Sequence, residues 1–303
     1  MKTLFQAALL SLVTTSAMAT ESVVIEHRMG KTEIQGVPER VVVIGLGSLD
    51  AINALGIDPV AVSKTLPQVP AYLEKYKDDK YANVGSLFEP NFEEIYNQNP
   101  DIIIVGPRSS PSFDELSKIA PTVVFAADSS KGYWNATQEQ WRNLGKVFGK
   151  EELVEEKIAA MDKEFKAINS YNQTNGVDAL TIMSAGGKLS SFGADSRFSA
   201  IYTDFGFNES VKGIKASNHG DMISFEFIRE SDPKTLLVID RDTLINPAES
   251  ETREQFDNDL IKATQAYQNN KMTYLDLNAW YLSMSGITAT EQMISDIKNS
   301  VDL

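Results

Sequence analysis

Three arginines, one histidine and one tyrosine are the residues of this chain with chemistry to offer. Arg108, Arg197 and Arg241 each follow an apolar strand or a glycine turn, in the segments GPRSS, GADSRF and VIDRD. A guanidinium presents its donors as a planar fork that matches paired anionic oxygens. Three of them converging on one cleft would hold a multiply charged anion. That would be notable in a chain of 28 basic and 42 acidic residues with a formal charge of −14. Taken singly, each arginine serves equally well as a solvated surface charge or an ion-pair partner. His219, in SNHGD, and Tyr281, in NAWYLSMSG, lie on separate loops of the C-terminal half. Iron(III) is a hard cation that takes oxygen donors and accepts imidazole. A tyrosine, with a free pKa of about 10, loses its proton when it binds such an ion. Read alone, Tyr281 is an amphipathic residue beside Trp280, and His219 is a polar loop residue.

Other chemistries lack their residues. There is no cysteine, hence no thiol nucleophile and no disulfide framework. The chain has neither a G-x-S-x-G elbow nor a G-x-x-x-x-G-K-[ST] loop. Of two histidines, His27 sits on an alternating strand and is given no role, which is too few for a zinc- or manganese-capture site. The acidic balance argues against nucleic acid as a partner. Gly45 and Gly47 follow the strand-like run RVVVI, but Asp50 stands where a dinucleotide fingerprint needs its third glycine. That corner reads as a tight turn presenting a helix N-terminus to a cleft. The expectation is a binding protein, not an enzyme, with no intrinsic cofactor.

The elements that must position these residues are legible as a repeat. Asn91–Arg108 aligns without a gap on Ser224–Arg241, pairing Phe92 with Phe225, Glu93 with Glu226, Pro100 with Pro233 and Arg108 with Arg241. Between the copies, residues 150–173 carry apolar side chains at Val154, Ile158, Met161, Phe165 and Ile168, the stripe of an amphipathic helix. Strands alternate with helices throughout, which calls for an α/β fold. The expected architecture is two Rossmann-like lobes with mostly parallel sheets joined by one long α-helix: residues 20–149, a linking helix over 150–173, and residues 174–303. The first strands are expected to form a hairpin turning at Met29-Gly30, and Thr288 is the candidate cap of a C-terminal helix. Residues 1–19 read as a cleavable secretory signal peptide: Lys2, the apolar Leu4–Val13, then Ser16-Ala17-Met18-Ala19. The expected location is therefore a bacterial periplasm.

Together, these features resemble the class III periplasmic binding proteins that serve ABC importers of iron–siderophores and cobalamin. The five segments quoted above fall where the ferric-catecholate, enterobactin-type branch keeps its ligands. The resemblance implies that Arg108, Arg197 and Arg241 contact catecholate oxygens. It implies that His219 and Tyr281 complete the coordination of iron when the siderophore supplies four donors. It further implies a monomer that carries Fe(III) as a siderophore complex and docks on an inner-membrane permease through Glu93 and Glu226. Hydroxamate or citrate chelates, haem or cobalamin in the same cleft, and a secreted α/β hydrolase, are the alternatives.

Overall fold

The apolar run Val41–Ile44 is buried along its whole length and forms the middle strand of the first sheet. The structure, a computed structural model, describes residues 22–64, 69–215, 217, 219–244, 248, 250–301 and 303, so the expected signal peptide lies outside the described residues. Strands β1 (Ser22–His27) and β2 (Gly30–Gln35) form an antiparallel hairpin. Strands β3 (Val41–Ile44), β4 (Ala61–Val62), β5 (Ala82–Asn83), β6 (Ile102–Val105) and β7 (Thr122–Val124) form a parallel sheet in the order β5-β4-β3-β6-β7. Strands whose two faces are both covered read as continuous apolar runs, which is how β3 and β6 were legible.

The second sheet is mixed. Its strands are β8 (Asp178–Ala185), β9 (Lys188–Phe192), β10 (Asn208–Glu209), β11 (Asp221–Ile223), β12 (Thr235–Asp240) and β13 (Met272–Tyr274). The order is β11-β9-β8-β12-β13, with β10 also on β8. Strands β12, β13 and β10 run parallel in their pairings, while β9 is antiparallel to both β8 and β11. The fold is α/β with two large sheets beside the β1–β2 hairpin, as expected.

The long helix spans Glu151–Asn175 and buries the predicted stripe of Val154, Ile158, Met161, Phe165 and Ile168. Its 25 residues make a rod of about 37 Å. Gly176 ends it in the left-handed conformation that favours glycine. Phe165 stacks between Trp134, at 4.7 Å, and Phe205, at 4.6 Å, so one helical side chain joins aromatic groups from before and after the helix.

The repeat holds in detail. Asn91 caps helix Phe92–Asn97 by accepting from the Glu94 amide, and Ser224 caps helix Phe225–Ser231 by accepting from the Phe227 amide. Ile95 and Ile228 are the fully buried anchors of the two helices. Asn99 and Asp232, each just before the matched proline, both adopt positive φ, 46° and 41°. Two strained residues at aligned positions are not a requirement of making a strand, and they mark the same turn built twice.

The C-terminal helix, Ile287–Val301, starts differently from expectation. Thr288 does not cap it; Asp50, 238 residues away, does. The buried Asp50 carboxylate accepts from the amides of Thr288 (2.8 Å) and Ala289 (2.9 Å) and from the Tyr72 hydroxyl (2.5 Å). An acid at a helix N-terminus satisfies orphan amides and meets the positive end of the dipole. Gly286 must be glycine here, since a Cβ would lie 2.5 Å from Asp50 Cγ.

Burial pushes the Asp50 carboxyl up to about 6, against the pull of its three donors. Unfolded, it titrates near ~3.9. Between those values the folded chain keeps a proton that the unfolded chain has released, so this group's contribution to stability falls as pH rises from about 4 to about 6. The loss is on the order of 2–3 kcal/mol. Denaturant unfolding of the protein and of Asp50→Asn at pH 4 and pH 7 should therefore show their stability difference shifting by that amount. An unchanged difference would contradict the assignment.

Candidate ligand-binding cleft

Tyr281 is held by a short π-helical turn, Asn278–Leu282, closed by the Ser283 amide on the Asn278 carbonyl at 2.7 Å. Such wide turns occur often at functional sites because they re-aim a side chain. The turn is pinned from beneath. Trp280 is fully buried, and its indole N–H donates to Asp296 Oδ2 at 2.9 Å. The same oxygen accepts from the Asp276 amide, and Asp276 Oδ1 accepts from the Ala279 amide. With Trp280 locked inward, Tyr281 lines a cavity of about 480 Å³.

The three predicted arginines gather around this one ring. The guanidinium carbons of Arg197, Arg108 and Arg241 lie 4.3, 5.6 and 5.6 Å from the Tyr281 ring centroid. Nη2 of Arg108 and Nη2 of Arg197 also donate to the Tyr281 carbonyl, at 3.4 and 3.5 Å. Each comes from a fixed loop. After β6, the Ser109 hydroxyl donates to the Ile44 carbonyl and Ser110 Oγ to that of Pro107, setting Arg108. After β9, the Ala194 amide donates to Glu209, and Ser196 Oγ to the Gly193 carbonyl, setting Arg197. At the end of β12, Asp240 is held by the hydroxyls of Ser250 and Thr252, setting Arg241 beyond it.

The electrostatics are one-sided. Burial pulls the Arg197 guanidinium below the ordinary arginine range, and the positive charges of Arg108 and Arg241 add to that, against the opposing pull of Tyr281. Arg197 Nε is buried and has no hydrogen-bond partner among the described residues. Among the described residues lining the cavity there is no Asp or Glu. The rest of the wall is largely apolar, with Leu46, Leu87, Phe125, Leu282 and Met284. The cavity thus offers cations and apolar surface to a ligand that must bring the negative charge itself.

Of the sequence-predicted set, Arg108, Arg197, His219 and Tyr281 line this cavity. Arg241 stands exposed at its edge, reaching the Tyr281 ring without forming the wall. His219 is exposed on its loop; its amide donates to the Ser217 hydroxyl, and its ring makes no hydrogen bond among the described residues. No group of three or more His, Cys, Asp or Glu able to hold a bare metal ion occurs among the described residues. Glu93 and Glu226 are exposed on the two repeat helices and take no part in the cavity.

Two local features beside the cavity differ from expectation. The expected glycine turn over Gly45–Asp50, with a helix only from Ala51 to Leu55, is in fact mostly helix, Leu46–Ala54, and Gly47 is there because a Cβ would lie 2.5 Å from the Met284 carbonyl. The first hairpin turns at Arg28-Met29, not Met29-Gly30, and this brings Arg28 into the cavity wall. The one-residue difference decides which side chain occupies the tip.

Residues 41–279 match the protein family described as "Periplasmic binding protein". The petrobactin-binding protein YclQ of Bacillus subtilis is 37% identical over 284 residues, covering 93% of this chain and 89% of its own. The ferric-anguibactin-binding protein FatB of Vibrio anguillarum is 33% identical, covering 91% and 86%. Among solved structures, the periplasmic catecholate-siderophore binding protein VctP of Vibrio cholerae is 60% identical, with a TM-score of 0.89 over 92% of this chain and 100% of that one. With a family match over residues 41–279 and relatives above 30% identical along nearly their whole length, the chain belongs to the periplasmic binding protein family.

Proposed function

We propose that this protein captures a ferric catecholate chelate at Tyr281 and passes it to an inner-membrane ABC importer. Family membership and the siderophore-binding relatives make it a binding protein of iron import and not an enzyme; the iron is cargo, not a resident cofactor. The observation that carries the finer reading is the ring of three guanidiniums on Tyr281, at a cavity with no carboxylate among its described lining residues.

The chemistry follows from charge and donor number. Two catecholates give iron four oxygens and leave the complex anionic, with two of six positions open. Guanidinium groups neutralise the catecholate oxygens without competing for the metal, because arginine has no lone pair to offer. The two donors the cleft presents, the Tyr281 phenol and the His219 imidazole, suit the open positions. They are too few for a bare ion, which supports delivery of iron inside a chelate. The apolar wall accommodates the aromatic rings of the ligand. The stiff helix limits the two lobes to small hinge motions.

Glu93 and Glu226, exposed at equivalent places in the repeat, are the proposed contacts to the permease. The signal-peptide pattern of residues 1–19 supports a periplasmic location. The protein is proposed to act as a monomer.

Titration of the purified protein with a ferric bis-catecholate should quench tryptophan fluorescence and shift the iron charge-transfer band. Tyr281→Phe and His219→Ala should each move that band. Arg197→Met should weaken binding about tenfold to a hundredfold, as expected for losing a charge-assisted contact. A band identical in the unaltered protein, Tyr281→Phe and His219→Ala would rule out direct ligation. In an uptake assay, Glu93→Ala with Glu226→Ala should abolish iron delivery while the affinity for the chelate stays within about twofold. A parallel loss of affinity would show that these residues act through the cleft instead.

A further inference from the structure

The cavity contains a cation that the foregoing reading leaves unused. Arg28 lines the cavity from the tip of the β1–β2 hairpin. The hairpin is anchored: Ile25 and Ile34 are buried, Thr32 Oγ1 donates to the Thr122 carbonyl, and the His27 ring packs edge-on against Phe113 at 5.2 Å. Arg28 Nη2 donates to Ser110 Oγ at 2.7 Å, and Ser110 is itself buried and fixed by its bond to the Pro107 carbonyl. The guanidinium therefore has a defined position against Ser110, which lies two residues along the loop from Arg108. It does not join the three that surround Tyr281. Among the described residues it has no ion-pair partner, and none of those lining the cavity is acidic. Its other N–H donors carry no protein partner among the described residues.

Charge points the same way. A ferric bis-catecholate brings a single negative charge, and the Tyr281 phenolate would bring another. Arg108, Arg197 and Arg241 already exceed both. Arg28 adds a further cation, and a cation in a cavity with no acid among its described lining residues is stabilised by an anion on the ligand. Because Arg28 lies apart from the metal-facing cluster, that anion belongs on the part of the chelator remote from iron. We infer that Arg28 is a specificity-determining residue, which binds a carboxylate on the backbone linking the two catecholates. The inference rests on the function proposed above and narrows it to a class of chelator.

The test uses two synthetic ferric bis-catecholates with the same spacer length, one with a neutral linker and one with a linker carboxylate. Affinities are measured by calorimetry for the full protein, Arg28→Ala and Arg28→Lys. The unaltered protein should prefer the carboxylate chelate. Arg28→Ala should weaken that chelate about tenfold and the neutral one less than twofold, with Arg28→Lys between, since a point charge lacks the bidentate fork. Retained binding of the neutral chelate also shows that the variant is folded. Equal loss on both chelates, or no loss on either, would overturn the role of Arg28 alone. Failure of the unaltered protein to bind either chelate would overturn the parent reading, and this one with it.

Discussion

Like charges held close together are the constraint around which this molecule is built. Three guanidiniums converge on one tyrosine ring, within 4.3 to 5.6 Å of its centroid. Such a cluster is unfavourable without an anion, and burial of Arg197 makes it more so. The arrangement persists because each arginine is held from behind. Serine hydroxyls fix the Arg108 loop, Glu209 and Ser196 fix that of Arg197, and Asp240 ties down the strand end before Arg241. Tyr281 is aimed by a π-helical turn whose tryptophan is locked to Asp296. The cost of assembling the site is thereby met by the frame, and a bound anion recovers it as affinity.

Much of this frame was legible in the sequence, and the reasons are specific. The Asn91–Arg108 and Ser224–Arg241 repeat was readable because its Glu, Pro and Arg positions match; the structure adds matched caps and matched positive φ at Asn99 and Asp232. The linking helix was readable from its apolar spacing alone. The Asp50 cap was not, because it joins residues 238 positions apart and local sequence carries no trace of it. Thr288 was the reasonable local candidate and lost to a distant carboxylate. The π-helical turn at Tyr281 was also invisible, since nothing in NAWYL distinguishes it from an α-helical turn or a loop. Arg28 escaped because a hairpin register is uncertain by one residue, and one residue is enough to exchange the tip side chain.

The protein's net charge of −14 and its cationic cleft are compatible halves of one design. Acidic residues elsewhere favour solubility, while the cavity stays free of them among its described lining. The field inside the cleft is thus local. In the function proposed, it selects anions over neutral ligands, and the apolar wall then selects those with aromatic surface. Family membership fixes the class of protein, and the identity of the side chains in the cleft narrows what it carries.

The central claim is that negative charge on the chelate, answered by the arginine ring, dominates recognition. It is tested most directly by comparing one metal in two chelates, an anionic ferric bis-catecholate and a neutral ferric tris-hydroxamate, over a range of salt concentrations. The account predicts that the anionic complex binds about a hundredfold tighter or more at low salt, with the gap narrowing as salt rises. Equal affinity for the two, independent of salt, would contradict it.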